Sequence, residues 1–288
     1  MSSIEPKPPI SIVVPSYNQG QFIGDTIDSI LAQDIDGIEI LVMDGGSTDQ
    51  TVDVLRRYGD RIQWVSERDK GQSDAINKGM SRVRGDILAY LNSDDRYVPG
   101  TLLLVLDTFQ KRLDADIIYG DINYIDSQGN LIRRGRTIDF DYNVFRYDYD
   151  FICQPASFWR RSVIERIGMM DLSLRYHMDY DFFMRAAVAG CRFHHLRCPL
   201  ADFRFHGESK TVNGSRSDSE RFWADRDKIV MPHRIRLASP QATRLLHKVL
   251  RVVFRARVAW HSLLQNRTLN LTSARKVAER VHSAGFRG

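Results

Sequence analysis

The chain has 288 residues, 43% apolar and 27% charged, with a formal net charge of +5, the make-up of one large globular domain or a domain with an appendage. Its apolar runs fall far short of the ~18 residues needed to cross a bilayer, and Met1 to Pro9 carries no apolar leader, so a cytoplasmic protein is expected. Cys153, Cys191 and Cys198 cannot all pair and form no CxxC, which fits a reducing compartment.

Ile10 to Pro15 reads as a first buried strand, and Ser16-Tyr17-Asn18-Gln19-Gly20 as the loop after it. Phe22 to Gln33 has a helical apolar face. Ile38 to Met43 is the second strand, closed by Asp44-Gly45-Gly46-Ser47-Thr48-Asp49, whose glycines admit either a ligand's close approach or a tight turn into the helix Thr51 to Tyr58. Ile62 to Ser66 is the third strand, and Ser73 is expected to cap the helix that runs to Arg82. Ile87 to Leu91 is the fourth, closed by Asn92-Ser93-Asp94-Asp95. Strand and helix alternate over these ninety residues, which means βαβ units and a largely parallel sheet.

Each polar loop in this half follows a strand, so Tyr17, Asp44, Lys70 and Asp94-Asp95 are expected to converge on one edge of the sheet, where open α/β folds bind ligands. Asp44 is suited to accept hydrogen bonds from a base or ribose. Two adjacent aspartates repel unless a cation lies beside them, and Mg²⁺ or Mn²⁺ shared with a diphosphate is the simplest partner, a solvated turn being the plain alternative. The glycines do not form GxGxxG and no GxxxxGK[ST] occurs, which argues against a dinucleotide fold and a P-loop NTPase.

Farther on, Asp116 to Asp121 reads as a strand, and Asn123 to Asp126 and Leu131 to Arg133 flank a hairpin turn at Ser127-Gln128-Gly129-Asn130. Arg133, Arg134 and Arg136 suit either a phosphate or a charge-protected strand edge. Cys191 to Cys198 invites a zinc reading, but alternation there points His194 and His195 to opposite faces of a strand. In Leu174 to Ala187 the acids open a helix; Asp181 stands four residues before Arg185, an ion-pair spacing that leaves Asp179 free. From Arg244 to Gly288 the only acid is Glu279. The mixed apolar and basic helix beyond Pro240 reads equally as a membrane-interface helix or as one that packs on the domain or a second copy.

Pro15-Ser16-Tyr17-Asn18, Val42 to Asp49, Ser66 to Gly79 and Leu91 to Asp95 resemble, in order, the motifs of family 2 glycosyltransferases of the GT-A fold, over about residues 9 to 210. The resemblance implies a Rossmann-like α/β fold, a mixed, mostly parallel sheet flanked by helices. It also implies inverting transfer of a sugar from a nucleotide-diphosphate donor, UDP by family frequency, with Mn²⁺ or Mg²⁺ on the diphosphate. Pro15, Tyr17 and Asp44 would hold the nucleoside, Asn92 and Asp94 would lie in the same pocket, and Asp94 and Asp95 would serve ribose and metal. Lys70 and Asp74 would line that pocket, against plain readings as a surface charge and a first-turn carboxylate. Asp179 would be the base, although Met178 stands where the family usually has a first acid. Gln154, in Ile152 to Arg160, would line the acceptor side, unless it is a buried amide that satisfies a loop. His206, in Phe203 to Thr211, would complete the metal or diphosphate site unless merely structural, with Ser209 and Lys210 on a loop able to close over the donor.

The resulting layout has a disordered tail at 1–9, a catalytic domain at 10–215 divided near residue 100 into nucleotide-sugar and acceptor halves, and a basic helical extension at 216–288. Expected partners are the donor, a glycan or lipid-linked acceptor of cell-surface polysaccharide or lipopolysaccharide assembly, and the inner membrane face; an oligomer stays open and nucleic acid is disfavoured. The competing readings are a sugar-nucleotide pyrophosphorylase, which Ser16 to Gly20 disfavours by lacking arginine, and a non-catalytic nucleotide-sugar-binding or scaffold protein.

Overall fold

The computed structural model describes residues 7–207, 218–235 and 237–264. Ser209, Lys210 and the tail beyond residue 264 lie outside them, as do residues 1–6 of the expected disordered tail. The rest of that tail is anchored: Lys7 pairs with Asp86 and Pro8 is buried.

Four parallel strands build the first half: β1 (Ile10–Ser16), β2 (Glu39–Asp44), β3 (Gln63–Ser66) and β4 (Ile87–Tyr90). Helices α1 (Ile23–Leu31), α2 (Thr51–Arg56) and α3 (Gln72–Arg82) connect them. β5 (Arg96–Tyr97), α4 (Thr101–Lys111), β6 (Ile117–Ile125) and β7 (Leu131–Gly135) follow. Next come α5 (Tyr142–Tyr147), β8 (Ser157–Arg160), α6 (Arg161–Ile167), α7 (Met178–Val188) and β9 (Phe193–Arg204). The described chain closes with α8 (Ser219–Val230) and α9 (Pro240–Leu264).

Nine strands among the described residues form one mixed sheet in the order β3-β2-β1-β4-β8-β6-β9-β5, with β7 on β6. β8 is the inversion point, antiparallel to both β4 and β6. Side chains alternate across the sheet. Along β1, Ile10, Ile12 and Val14 enter one core with Ile23, Ile27 and Ile30 of α1, while Val13 enters the other with α3, α7 and Trp159. Each such fully buried side chain contributes about 1.5–3 kcal/mol. α3 lies so close to β1 that a Cβ on Gly79 would come within 2.4 Å of Val13.

Two details differ from the expectation, and a third bears on a reading left open. Ser73 does not cap α3, which starts from Gly71; its hydroxyl donates instead to the sulfur of Met178 at 2.7 Å. Asp116 to Asp121 and Asn123 to Asp126 merge into the single strand β6, because its parallel pairing with β9 runs through a register shift at Gly120 to Ile122. One face of α9 packs on the domain, Phe254 against Tyr147 at 5.8 Å and Arg255 on Asp148 at 2.7 Å.

Candidate active site

A cavity of about 1160 Å³ opens at the carboxyl ends of β1 and β4 and is walled on the other side by the 150–155 segment, the start of α7 and α8. The volume exceeds that of a typical small-ligand pocket and leaves room for two substrates. Pro15, Tyr17, Lys70, Asn92, Asp94, Asp95, Gln154 and Asp179 all line it. The expected convergence on one sheet edge therefore takes in most of the candidate residues.

The loops after β1 and β2 are laced together. Asn18 accepts from the Thr48 amide at 2.8 Å, the Asn18 amide donates to Ser47 at 2.7 Å, and the Gly20 amide donates to Asp49 at 2.9 Å. Gly46 turns at φ +83°, a left-handed conformation that suits glycine. Tyr17 stands 59% exposed at the mouth.

Asp44 and Asp74 stand behind this wall rather than in it. Asp44 is buried, and its carboxylate accepts from the Gly46 amide at 3.2 Å, the Ser47 amide at 3.0 Å, the Ser66 hydroxyl at 2.6 Å and the Ser47 hydroxyl. It folds the loop that forms the wall. Asp74 accepts from the Lys70 amide at 3.0 Å and pairs with Lys78 at 3.3 Å; the Lys70 amide, foremost, holds its carboxyl below the usual range. These contacts correct the placement of both residues: each positions a loop whose neighbours, Gly45, Gly46 and Lys70, face the cavity.

At the end of β4, Asp95 is 1% exposed and accepts from the Arg204 amide at 2.9 Å and from Asn92 at 3.3 Å. Burial, followed by the neighbouring Asp94 charge, pushes its carboxyl well above the ordinary range. His206 does not reach Asp95; its Nε2 lies 2.8 Å from Asp94 Oδ2, with the ring against Phe22 at 4.6 Å. No cluster of three or more His, Cys, Asp or Glu able to hold a metal occurs among the described residues. An adjacent aspartate pair, Asp95 buried and Asp94 half-buried, with few further ligands fits a hard cation of the Mg²⁺ type, which keeps waters and shares substrate phosphates rather than filling an all-protein cage.

Gln154 is buried: its amide donates to the Tyr90 carbonyl at 2.6 Å, and its oxygen meets Asn92 at 3.4 Å. Asn92 also accepts from Gln72 at 2.6 Å. Both polar ends of Gln154 are thus engaged in holding the Asn92 loop, the arrangement of a satisfied buried amide.

α7 opens at the far wall. Asp181 pairs with Arg185 at 2.7 Å, as its spacing anticipates, while Asp179 accepts the Tyr180 amide at 2.9 Å and no ion pair involves it among the described residues. Met178 is buried against Ser73, so the first turn presents one carboxylate to the cavity. His177 enters α7 with φ 58°, uncommon for a non-glycine residue. Its Nε2 is buried without a hydrogen-bond partner among the described residues, and burial lowers its pKa.

Sequence reasoning missed Arg204, Asp150 and α8's contribution. Arg204 is buried; besides its amide bond to Asp95, its side chain donates to the carbonyls of Asp94 at 2.8 Å and Ser127 at 3.2 Å and meets Asp25. The signal was the alternation Phe203-Arg204-Phe205, which places Arg204 opposite the two rings. Asp150 lines the cavity and accepts the Ile152 amide at 3.0 Å. α8, placed by the sequence in the extension, supplies Arg221 and Phe222 to the wall.

Comparison with known proteins follows the same lines. Residues 11–168 match the family described as Glycosyl transferase family 2. A PGL/p-HBAD biosynthesis glycosyltransferase of Mycobacterium bovis is 32% identical over 183 residues, 62% of this chain and 69% of that protein. A chondroitin synthase of Escherichia coli is 28% identical over 71% of this chain, which spans only 30% of that protein. Among solved structures, S. aureus TarS 1-349 in complex with UDP-GlcNAc superposes with a TM-score of 0.58 at 17% identity, over 77% of this chain and 70% of that one. The mannosyltransferase PcManGT from Pyrobaculum calidifontis, in complex with GDP-Man and Mn²⁺, gives 0.60 at 17% identity, over 97% and 80%. At such identities the likeness is one of fold, the GT-A arrangement.

Proposed function

The chain belongs to glycosyl transferase family 2, and from that premise we propose that it moves a sugar from a UDP-sugar to an acceptor hydroxyl with inversion at the anomeric carbon. One observation carries the reading. A single cavity holds the adjacent pair of half-buried Asp94 and buried Asp95 on its β4 side and, on its α7 side, Asp179, which no ion pair engages among the described residues.

In this reading Pro15, Tyr17 and the loop folded by Asp44 frame the nucleoside, and Lys70, presented by Asp74, faces the diphosphate. Asp95 and Asp94 are the protein groups that would hold Mn²⁺ or Mg²⁺, with His206 fixing Asp94 from behind. When bound, that cation supplies neutralising charge to the departing diphosphate. Asn92 and Gln154 hold the β4 loop in register. Asp179 takes the proton of the acceptor hydroxyl while the oxygen bonds to the anomeric carbon and the bond from that carbon to the diphosphate breaks. Base and leaving group act on opposite faces of the sugar, hence inversion. Single displacement needs no covalent sugar-enzyme intermediate.

The acceptor in this reading is a glycan or lipid-linked hydroxyl of envelope polysaccharide or lipopolysaccharide assembly, met at the inner membrane face. No described helix is long and apolar enough to cross a membrane. α9 carries Leu245, Val249, Val252 and Val253, each half or more exposed, at i, i+4, i+7 and i+8, beside exposed Arg244 and Lys248. Such a face suits an anionic lipid surface.

The test is release of nucleoside diphosphate from UDP-, GDP- and dTDP-sugars with Mn²⁺ or Mg²⁺ added. Metal-dependent turnover of one donor is expected. Tight donor binding without turnover in any acceptor mixture would replace the transferase by a nucleotide-sugar-binding protein.

A further inference from the structure

We propose that Asp150 is a second acceptor-side carboxyl, which binds a hydroxyl of the acceptor sugar next to the one being glycosylated and supplies, from another element, the acid that α7 lacks at position 178. The inference rests on the transferase reading above. Asp150 and Asp179 line the same cavity, one from the segment after α5, the other from α7. Each accepts one neighbouring backbone amide, from Ile152 and Tyr180 respectively, which accounts for one oxygen of each carboxyl. No ion pair engages Asp150 among the described residues.

The contrast with Asp148, two residues earlier, is informative. Asp148 is buried and Asp150 half-buried, but Arg255 meets both oxygens of Asp148, at 2.7 and 2.9 Å, and Arg226 donates to its carbonyl at 2.7 Å. One acid of the segment is neutralised by α8 and α9; the other is left to the cavity. The groups acting on one another around Asp150 are Asp179 and Tyr180 on α7, Tyr90 on β4, and Tyr149 and Cys153 on its own segment, with Arg226 and Arg234 acting on Tyr180. Burial first, then the Asp179 charge, pushes the Asp150 carboxyl well above the ordinary range. A recessed carboxyl beside another, without a cation, lowers stability, and such sites concentrate where a ligand is handled. A carboxyl that keeps its proton can donate to one sugar oxygen while Asp179 accepts from the next.

Asp150→Asn tests this against a structural role. The folded protein holds a proton on Asp150 that the unfolded chain, with a carboxyl near pH 3.9, has released. Stability therefore falls as pH rises from that value toward the folded pKa. The Asn variant lacks this slope and is expected to melt above wild type at pH 8, the difference closing toward pH 4. In Asp150→Ala, with the donor found active above and p-nitrophenyl glycosides as acceptors, transfer should fall about 2- to 10-fold more than donor hydrolysis by water, the effect of one lost neutral hydrogen bond, while Asp150→Asn, whose amide still donates, should keep that ratio near wild type. The gap should close for acceptors deoxygenated beside the reacting hydroxyl. The donor-induced thermal shift with Mn²⁺ should persist. A lower melting temperature of Asp150→Asn at pH 8, or equal loss of transfer and hydrolysis in Asp150→Ala, overturns the role of Asp150 alone. A wild type that no nucleotide sugar stabilises overturns the transferase reading, and this role falls with it.

Discussion

The two sides of the cavity treat most of their carboxylates in different ways. Before residue 92, Asp44, Asp49 and Asp74 are taken up by the loops that carry them, receiving backbone amides from Gly46, Gly20 and Lys70. Beyond it, Asp150 and Asp179 each take one amide from the adjacent chain and face the cavity. One side uses these three acids to shape its loops, while the other leaves two facing the cavity. Asp94 and Asp95 lie at the boundary, partly satisfied by Arg204, Asn92 and His206.

This contrast can be broken at graded cost. Asp179→Asn should lower transfer by about 10²- to 10⁴-fold and leave the melting temperature and the donor-induced thermal shift near wild type. A variant of unchanged rate would remove Asp179 from the chemistry. Arg204→Ala should cost about 3 kcal/mol in urea unfolding, because it strips buried donors from the carbonyls of Asp94 and Ser127 and from Asp25. Asp44→Ala should cost about 1–3 kcal/mol by freeing the Gly46 and Ser47 amides; on the proposed reading, in which that loop frames the nucleoside, donor affinity should fall with it. Preserved stability would show that the loop holds without its carboxylate. The smallest effect belongs to Arg255→Ala, about 0.5–1 kcal/mol, because that guanidinium is 55% exposed where it meets Asp148.

The same contrast explains what was legible in the sequence. β1 to β4 are short apolar runs cut by Pro, Gly and Asp, and their bounds fall within two residues of expectation. β9 was harder. Pro199 cannot donate to the ladder and the pairing with β6 slips nearby, so the alternation marked only the first part of a twelve-residue strand. β5 and β8, of two and four residues, exist through their partners and leave little local pattern. That Asp94, Asp95 and Asp179 would line the cavity could be anticipated because strand ends and helix first turns announce themselves. That Asp44 would be consumed by its own loop depends on Ser66, 22 residues away, and that Arg204 would reach Asp94 depends on closure over 110 residues. Asp150 offered only an aspartate among aromatic residues, with no period to mark its side.

The central claim is that donor and cation site and proton acceptor are separate parts of one cavity. The most direct test is the thermal shift by UDP-sugar with and without Mn²⁺, read beside donor turnover, in wild type, Asp95→Asn and Asp179→Asn. The account predicts a Mn²⁺-dependent shift in wild type and Asp179→Asn, none in Asp95→Asn, and turnover in wild type alone. Equal shifts in all three proteins, or wild-type turnover in Asp179→Asn, would contradict it.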